Sequence, residues 1–271
     1  MSLDNWIDYF NYLCEIAPTN DIYMSRFSKS LISMCQNDSK KYDELKMQIG
    51  PVCHAEPDKI YQILTLFNVL GVSSDLADVR YQIMKRLSEA IKTDESMTCL
   101  NLADMHITDD ELSLILDALN VNPKIHILVL DYNNLDFTCR ECKILSDFIK
   151  INKSIKYLGL NSTRIQDKGL KLICEALKVN NTLKIIGLSD NFIEDEGCEY
   201  ISDMLDHNKI LVELLFYNSN ISVKGISEIA KSLKNNRSLR MIEIPHVECK
   251  DFMDMLKENT TLRQVITVKT Y

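Results

Sequence analysis

The chain has 271 residues, 46% of them apolar and 26% charged, with a formal net charge of −8. That apolar content builds a core and excludes a wholly disordered chain, and no run approaches the ~18 uninterrupted apolar residues of a membrane-spanning helix. The acidic balance argues against nucleic-acid binding, which needs clustered Lys and Arg, and seven glycines are too few for a fold that cradles phosphates in glycine loops.

The amino terminus carries Asp4 and Asp8 and no basic or apolar leader, so no secretory signal is expected. Residues 1–93 read as an N-terminal helical region of four or five short helices. Apolar stripes run Trp6/Ile7/Phe10/Leu13, Tyr23/Phe27/Leu31/Met34, Ile60/Ile63/Leu64/Phe67 and Leu76/Val79/Ile83/Leu87/Ala90, with breaks at Pro18, Gly50-Pro51, Pro57 and Gly71. Two readings are open: a cap on the remainder of the chain, or an independent adaptor module such as a death-fold bundle. No Pro/Ser/Gly-rich linker separates the two parts, which favours one continuous body.

From residue 94 to 271 the chain repeats. Gly169, Gly197 and Gly225 are 28 residues apart. Aligned on them, a frame of three apolar positions recurs as Met97/Leu100/Leu102, Ile125/Leu128/Leu130, Ile155/Leu158/Leu160, Leu183/Ile186/Leu188, Leu211/Leu214/Phe216 and Leu239/Ile242/Ile244. A short strand fits each frame. Three residues past the third apolar position stand Met105, Asn133, Thr163, Asn191, Ser219 and Val247; two further on come Ile107, Leu135, Ile165, Ile193 and Ile221. Stripes such as Gly197/Ile201/Met204/Leu205 then predict a helix. An Asn closes most helices, at 122, 152, 180, 208, 236 and 259. The series reads as helix stops in the left-handed conformation that Asn tolerates. The unit from Ile125 is two residues longer, and the unit from Leu239 is about five short and degenerate.

These repeats resemble the leucine-rich repeat family, in its long ribonuclease-inhibitor-type units, over about Met97 to Val268. The resemblance implies an α/β fold: a right-handed β-α superhelix of about six units, with parallel strands on the concave face and helices on the convex face. Stacked units of this kind bury apolar faces that none could bury alone. The ending Met255-Leu256-Lys257-Glu258-Asn259-Thr260-Thr261-Leu262 is loosely similar to the repeat domain of tropomodulins, which implies actin as a partner. The acidic actin-binding and tropomyosin-binding segments of that family have no counterpart.

Little in the sequence carries catalytic chemistry. Cys139-Arg140-Glu141-Cys142 has no second Cys or His pair at zinc-ligand spacing, and the five histidines form no catalytic or metal motif. Acid runs such as Asp109-Asp110-Glu111 and Glu194-Asp195-Glu196 fall where helices start and read as charge that offsets the helix dipole. No enzyme activity, cofactor or metal is expected. Nine irregularly spaced cysteines read as reduced thiols in a cytoplasmic protein.

The alternate strand positions should instead line a concave binding surface. One row reads Cys99, Ile127, Tyr157, Ile185, Glu213, Met241, and the next Asn101, Val129, Gly159, Gly187, Leu215, Glu243. Tyr132, Tyr157, Ile185, Leu215 and Tyr217 are the expected protein-binding anchors, with Lys156, Lys184 and Arg240 on one border and Asp131 and Asp190 on the other. Gly159 and Gly187 are expected to leave a bare patch between them. The plain alternative is an unused sheet whose apolar residues are only strand-compatible. Other readings are a regulator of a small GTPase, like the repeat-built activators of Ran-type GTPases, with Arg164 as the candidate finger, and an innate-sensor-like or host-targeting protein. The β-branched run Leu262 to Val268 is expected to form a terminal edge strand open to weak self-association.

Overall fold

The computed structural model describes residues 74–133, 139–217, 220–246 and 248–268. The first three amino-terminal stripes, and with them the choice between cap and module, lie outside those residues, as do Leu135, Ser219 and Val247. The chain forms two units, Met1–Ile91 and Lys92–Tyr271. Helix α1 spans Ser74–Thr93.

Seven strands and six helices then alternate. They are β1 (Cys99–Asn101), α2 (Asp109–Val121), β2 (Ile127–Val129), α3 (Cys139–Ile151), β3 (Tyr157–Gly159), α4 (Asp167–Val179) and β4 (Ile185–Gly187). They continue as α5 (Asp195–His207), β5 (Glu213–Leu215), α6 (Val223–Leu233), β6 (Met241–Pro245), α7 (Lys250–Glu258) and β7 (Gln264–Val268). All strands are parallel and lie side by side in chain order.

The sequence period becomes sheet register. Leu100, Leu128, Leu158, Ile186, Leu214 and Ile242 are partners across successive strands, and each is at most 5% exposed. The helix stripes meet them from behind: Leu112, Ile115, Ile173, Leu177, Ile201, Leu205, Ile229 and Leu233 are buried. Each such side chain contributes roughly 1.5–3 kcal/mol by leaving water. The architecture is that of a leucine-rich repeat solenoid.

Asparagine side chains tie neighbouring repeats together along two lines. In the turn after the strand, Asn133 Nδ2 donates to the carbonyls of Leu102 (2.8 Å) and Leu130 (2.9 Å), while its Oδ1 accepts from the N–H groups of Met105 and Ile107. Asn191 does the same one repeat beyond Thr163, whose hydroxyl donates to Leu160 O in place of an amide. The second line runs past the helix ends. Asn122, Asn152, Asn180, Asn208, Asn236 and Asn259 donate to the carbonyls of Asp94, Leu119, Ile149, Leu177, Leu205 and Leu233 in the preceding repeat. Each Oδ1 accepts from N–H groups two or three residues ahead, as Asn180 does from Thr182 and Leu183.

This corrects the expected reason for the helix-stop asparagines. Asn122, Asn180, Asn208 and Asn259 are extended, with φ from −91° to −70°. The side-chain amide selects Asn there, because one group must donate backward and accept forward at once. The left-handed residues lie elsewhere, after the strands, at Asp104, Tyr132, Ser162 and Asp190 in successive repeats.

The helix starts are also coupled between repeats. Thr108 and Glu111 form a capping box on α2. Asp167, the first residue of α4, instead accepts the N–H groups of Glu194 and Gly197 at the start of α5. Asp195 in turn accepts from Ser222 and Gly225 at the start of α6. The acids therefore cap the helix of the next repeat, and the repeated glycine has a packing cause. A Cβ on Gly225 would stand 2.6 Å from Asp195 Oδ1, and one on Gly197 would collide with Asp167 Oδ1.

Candidate functional site

The first and third residues of each strand project from the sheet on the side away from the helices. Cys99, Ile127, Tyr157, Ile185, Glu213 and Met241 stand in one continuous row that reaches Gln264. Asn101, Val129, Gly159, Gly187, Leu215, Glu243 and Ile266 stand in the other. Ile127 is 38% exposed, Tyr157, Ile185, Leu215 and Tyr217 are half-buried, and Tyr132 is 59% exposed.

The basic residues occupy the strand beginnings. Lys184 N donates to Lys156 O, Val212 N to Lys184 O and Arg240 N to Val212 O, so these residues form a backbone-paired row. Lys156 and Arg240 are exposed and Lys184 is half-buried. A three-residue strand, roughly 10 Å long, separates them from the acidic end, so the two charged borders are not in contact.

At the strand ends the predicted residues come together. Asp131 Oδ1 and Oδ2 accept from the backbone N–H and side-chain amide of Asn161, at 2.9 and 3.0 Å, and Asn161 Oδ1 accepts from Ser189 N at 2.9 Å. This polar shelf fills the patch that was expected to be bare. A Cβ on Gly159 would lie 2.6 Å from Asp131 Oδ1, and one on Gly187 2.9 Å from the Asn161 amide. The two glycines therefore admit the shelf's side chains. Ser189, 2% exposed, keeps a hydroxyl with no hydrogen-bond partner among the described residues.

Beyond the shelf, the Tyr217 hydroxyl donates to Asp190, with Glu243 and Tyr132 within electrostatic reach. Burial, then the charges of Asp190 and Glu243, push the Tyr217 phenol up. Burial and Asp190 likewise raise the Glu243 carboxyl. The Tyr157 phenol is raised by burial and by Asp131. Glu243, Ser189 and Asn161 were not among the expected binding residues. Glu243 was legible from its place in the second row; the roles of Ser189 and Asn161 depend on hydrogen bonds between repeats that no spacing announces.

Among the described residues no group of three or more His, Cys, Asp or Glu side chains is arranged to hold a metal ion. Cys99, Cys142, Cys174, Cys198 and Cys249 are thiols outside any disulfide among the described residues. Burial raises the thiols of Cys99, Cys174 and Cys198, the opposite of what activates a nucleophile. Cys142, of the C-x-x-C, is wholly buried on α3. Arg164 is exposed, with φ 65°, in the loop after β3. No described helix is long and apolar enough to cross a membrane.

Compared with protein-family models and with curated proteins, the sequence matches none. Solved structures resemble it. One is described as "Leiomodin-1 Actin-Binding Site 2 (ABS2)": 26% identity, TM-score 0.42, covering 64% of this chain and 86% of that one. Another is the tropomodulin C-terminal domain from Caenorhabditis elegans: 13% identity, TM-score 0.40, covering 65% of this chain and 92% of that one. TM-scores at this level carry nothing about function.

Proposed function

We propose that the chain is a non-enzymatic protein-binding scaffold that takes its partner on the concave face of the sheet. The continuous side-chain register carries this reading. Seven strands present rows whose centre is apolar and aromatic (Ile127, Tyr157, Ile185, Leu215), and whose borders are charged. That is the composition of a protein interface: aromatic and aliphatic anchors inside a polar rim. The test is affinity capture with the Tyr157→Ala/Tyr217→Ala variant. Each anchor should cost about 2 kcal/mol, so captured partners should be lost. Unchanged capture overturns the reading.

Within this class, actin is the first partner to assay, on the tropomodulin-like ending from Met255 to Leu262. A pyrene-actin assay without any effect on pointed-end dynamics removes it. We assign the chain to the cytoplasm, where thiols such as Cys99, exposed and free, stay reduced.

A further inference from the structure

We propose that the acidic, tyrosine-lined end of the concave face recognises a basic peptide segment, with a Lys or Arg side chain seated between the carboxylates of Asp190 and Glu243 and the rings of Tyr132 and Tyr217. This rests on the concave-face reading and names the chemistry of the partner.

Strand order brings the groups together: Asp190 follows β4, Tyr217 follows β5, and Glu243 lies in β6. Glu243 faces the field of Asp190, the Asp190 N–H donates to Tyr217 O at 3.0 Å, and the Tyr217 hydroxyl donates to Asp190. Among the described residues Glu243 and Asp131 form no ion pair. Lys156, Lys184 and Arg240 stand at the opposite ends of the strands, and Arg164, which follows β3 at the acidic end, forms no ion pair with a described residue. The acidic end therefore carries a field that an incoming cation complements.

The hydroxyl of Ser189 is an independent sign of a ligand. Ser189 directly precedes Asp190 and its N–H donates to Asn161 Oδ1, so it lies in the shelf row between Asn161 and Tyr217. Buried hydroxyls without partners are rare; among the described residues the other is that of Ser146 on α3, whereas Ser189 directly precedes Asp190 in the acidic cluster. The aromatic rings add a second attraction, since a cation over a tyrosine face is held by the ring quadrupole. Tyr132 offers most of its surface for that contact. A guanidinium matches this environment better than an ammonium, because it is weakly hydrated, stacks on rings and donates through a planar fork.

The test is fluorescence anisotropy on the whole chain with three labelled peptides of equal length: an Arg-Gly, a Lys-Gly and a Glu-Gly repeat. The Arg-Gly peptide should bind most tightly and lose affinity as salt is added, and the Glu-Gly peptide should not bind. Asp190→Asn combined with Glu243→Gln should weaken Arg-Gly binding about tenfold or more, or about 1.4 kcal/mol. Asn tolerates the left-handed backbone at 190, and melting by circular dichroism checks the fold. Glu199→Gln, exposed on α5, should leave binding unchanged. No Arg-Gly binding, equal binding of the Glu-Gly peptide, or full binding by the double variant overturns the proposal. If Tyr157→Ala/Tyr217→Ala loses captured partners while Asp190→Asn/Glu243→Gln affects neither partner nor peptide, the concave-face reading stands and the cation site falls. If neither pair of substitutions has any effect, both fall.

Discussion

Asp167 and Asp195 occupy the same place in successive repeats, yet their carboxyls are pushed in opposite directions. Burial raises Asp167, and the neighbouring charges of Glu194 and Glu196 add to it, against the N–H bonds from Glu194 and Gly197. Burial also opposes ionisation of Asp195, but the Ser222 hydroxyl and the N–H groups of Ser222 and Gly225 outweigh it, and the net shift is downward. A lowered folded-state pKa means stability that is present above the unfolded value of 3.8 and lost as pH falls through the folded one. A raised value means that the charge itself opposes folding at neutral pH. Asp167→Asn, which keeps the acceptor and removes the charge, should therefore leave Tm level or raise it at pH 7, whereas Asp195→Asn should lower it. The Asp195→Asn deficit should shrink only below about pH 4. Thermal melts across that range check both signs. Tyr132 is a second residue-scale case. With φ 58° and 59% exposure it holds a strained backbone with little burial in return, and strain of this kind collects at functional sites. Tyr132→Asn should stabilise the fold by up to about 1 kcal/mol while weakening partner binding; equal loss of both would mark Tyr132 as structural. Neither aspartate's pKa direction was legible in the sequence, because both depend on hydrogen bonds from the following repeat. Asp94 was hidden for another reason. It accepts from Ser96 and Met97 as the helix-end asparagines do and supplies the carbonyl for Asn122, but its side chain is a carboxylate in a series of amides.

At the scale of elements, inter-repeat capping explains why glycine and aspartate recur together. The carboxylate of Asp195 reaches the start of α6 only because Gly225 has no side chain in its path. Gly225→Ala should cost about 1–3 kcal/mol through overpacking and a displaced cap. Combined with Asp195→Ala the costs should be below additive, since the nearest obstruction is gone while Cys198 Sγ and Ile221 Cγ2, each 2.9 Å from the added Cβ, remain. Additive costs in a denaturant double-mutant cycle would refute the coupling. The asparagine line makes a parallel case. Asn180 meets the carbonyl of Ile149 and the N–H groups of Thr182 and Leu183, so Asn180→Ala leaves buried groups unpaired on both sides, each worth about 1–3 kcal/mol. The elements themselves were readable because Leu158/Leu160 and Ile186/Leu188 keep the strand period of two while Ile173 and Leu177 follow a helix period, and both periods are local properties of the chain. The shelf over Gly159 and Gly187 was not readable, because Asp131 and Asn161 arrive from the preceding repeats. A glycine in a strand signals close approach without naming what approaches.

For the molecule as a whole, nearest-neighbour stacking makes the two ends of the array unlike its middle. Each interior strand pairs on both sides, while β7 closes the sheet order and, among the described residues, pairs only with β6. Five of its residues are in register with β6, from Gln264 with Met241 to Val268 with Pro245, so the edge is longer than the three-residue strands before it. Val265, Ile266 and Val268 are half-buried, and Thr267 is exposed. A β-branched edge of this length is a template for another strand. Two copies meeting through it around a two-fold axis would pair antiparallel, and that contact closes on itself, so association should stop at the dimer. Sedimentation equilibrium over a wide concentration range should therefore reveal a weak monomer–dimer equilibrium. Thr267→Lys, a substitution at an exposed position that puts a charge on the edge, should shift it toward monomer without lowering Tm. Strictly monomeric behaviour at high concentration, or a dimer indifferent to Thr267→Lys, would assign the edge no part in assembly.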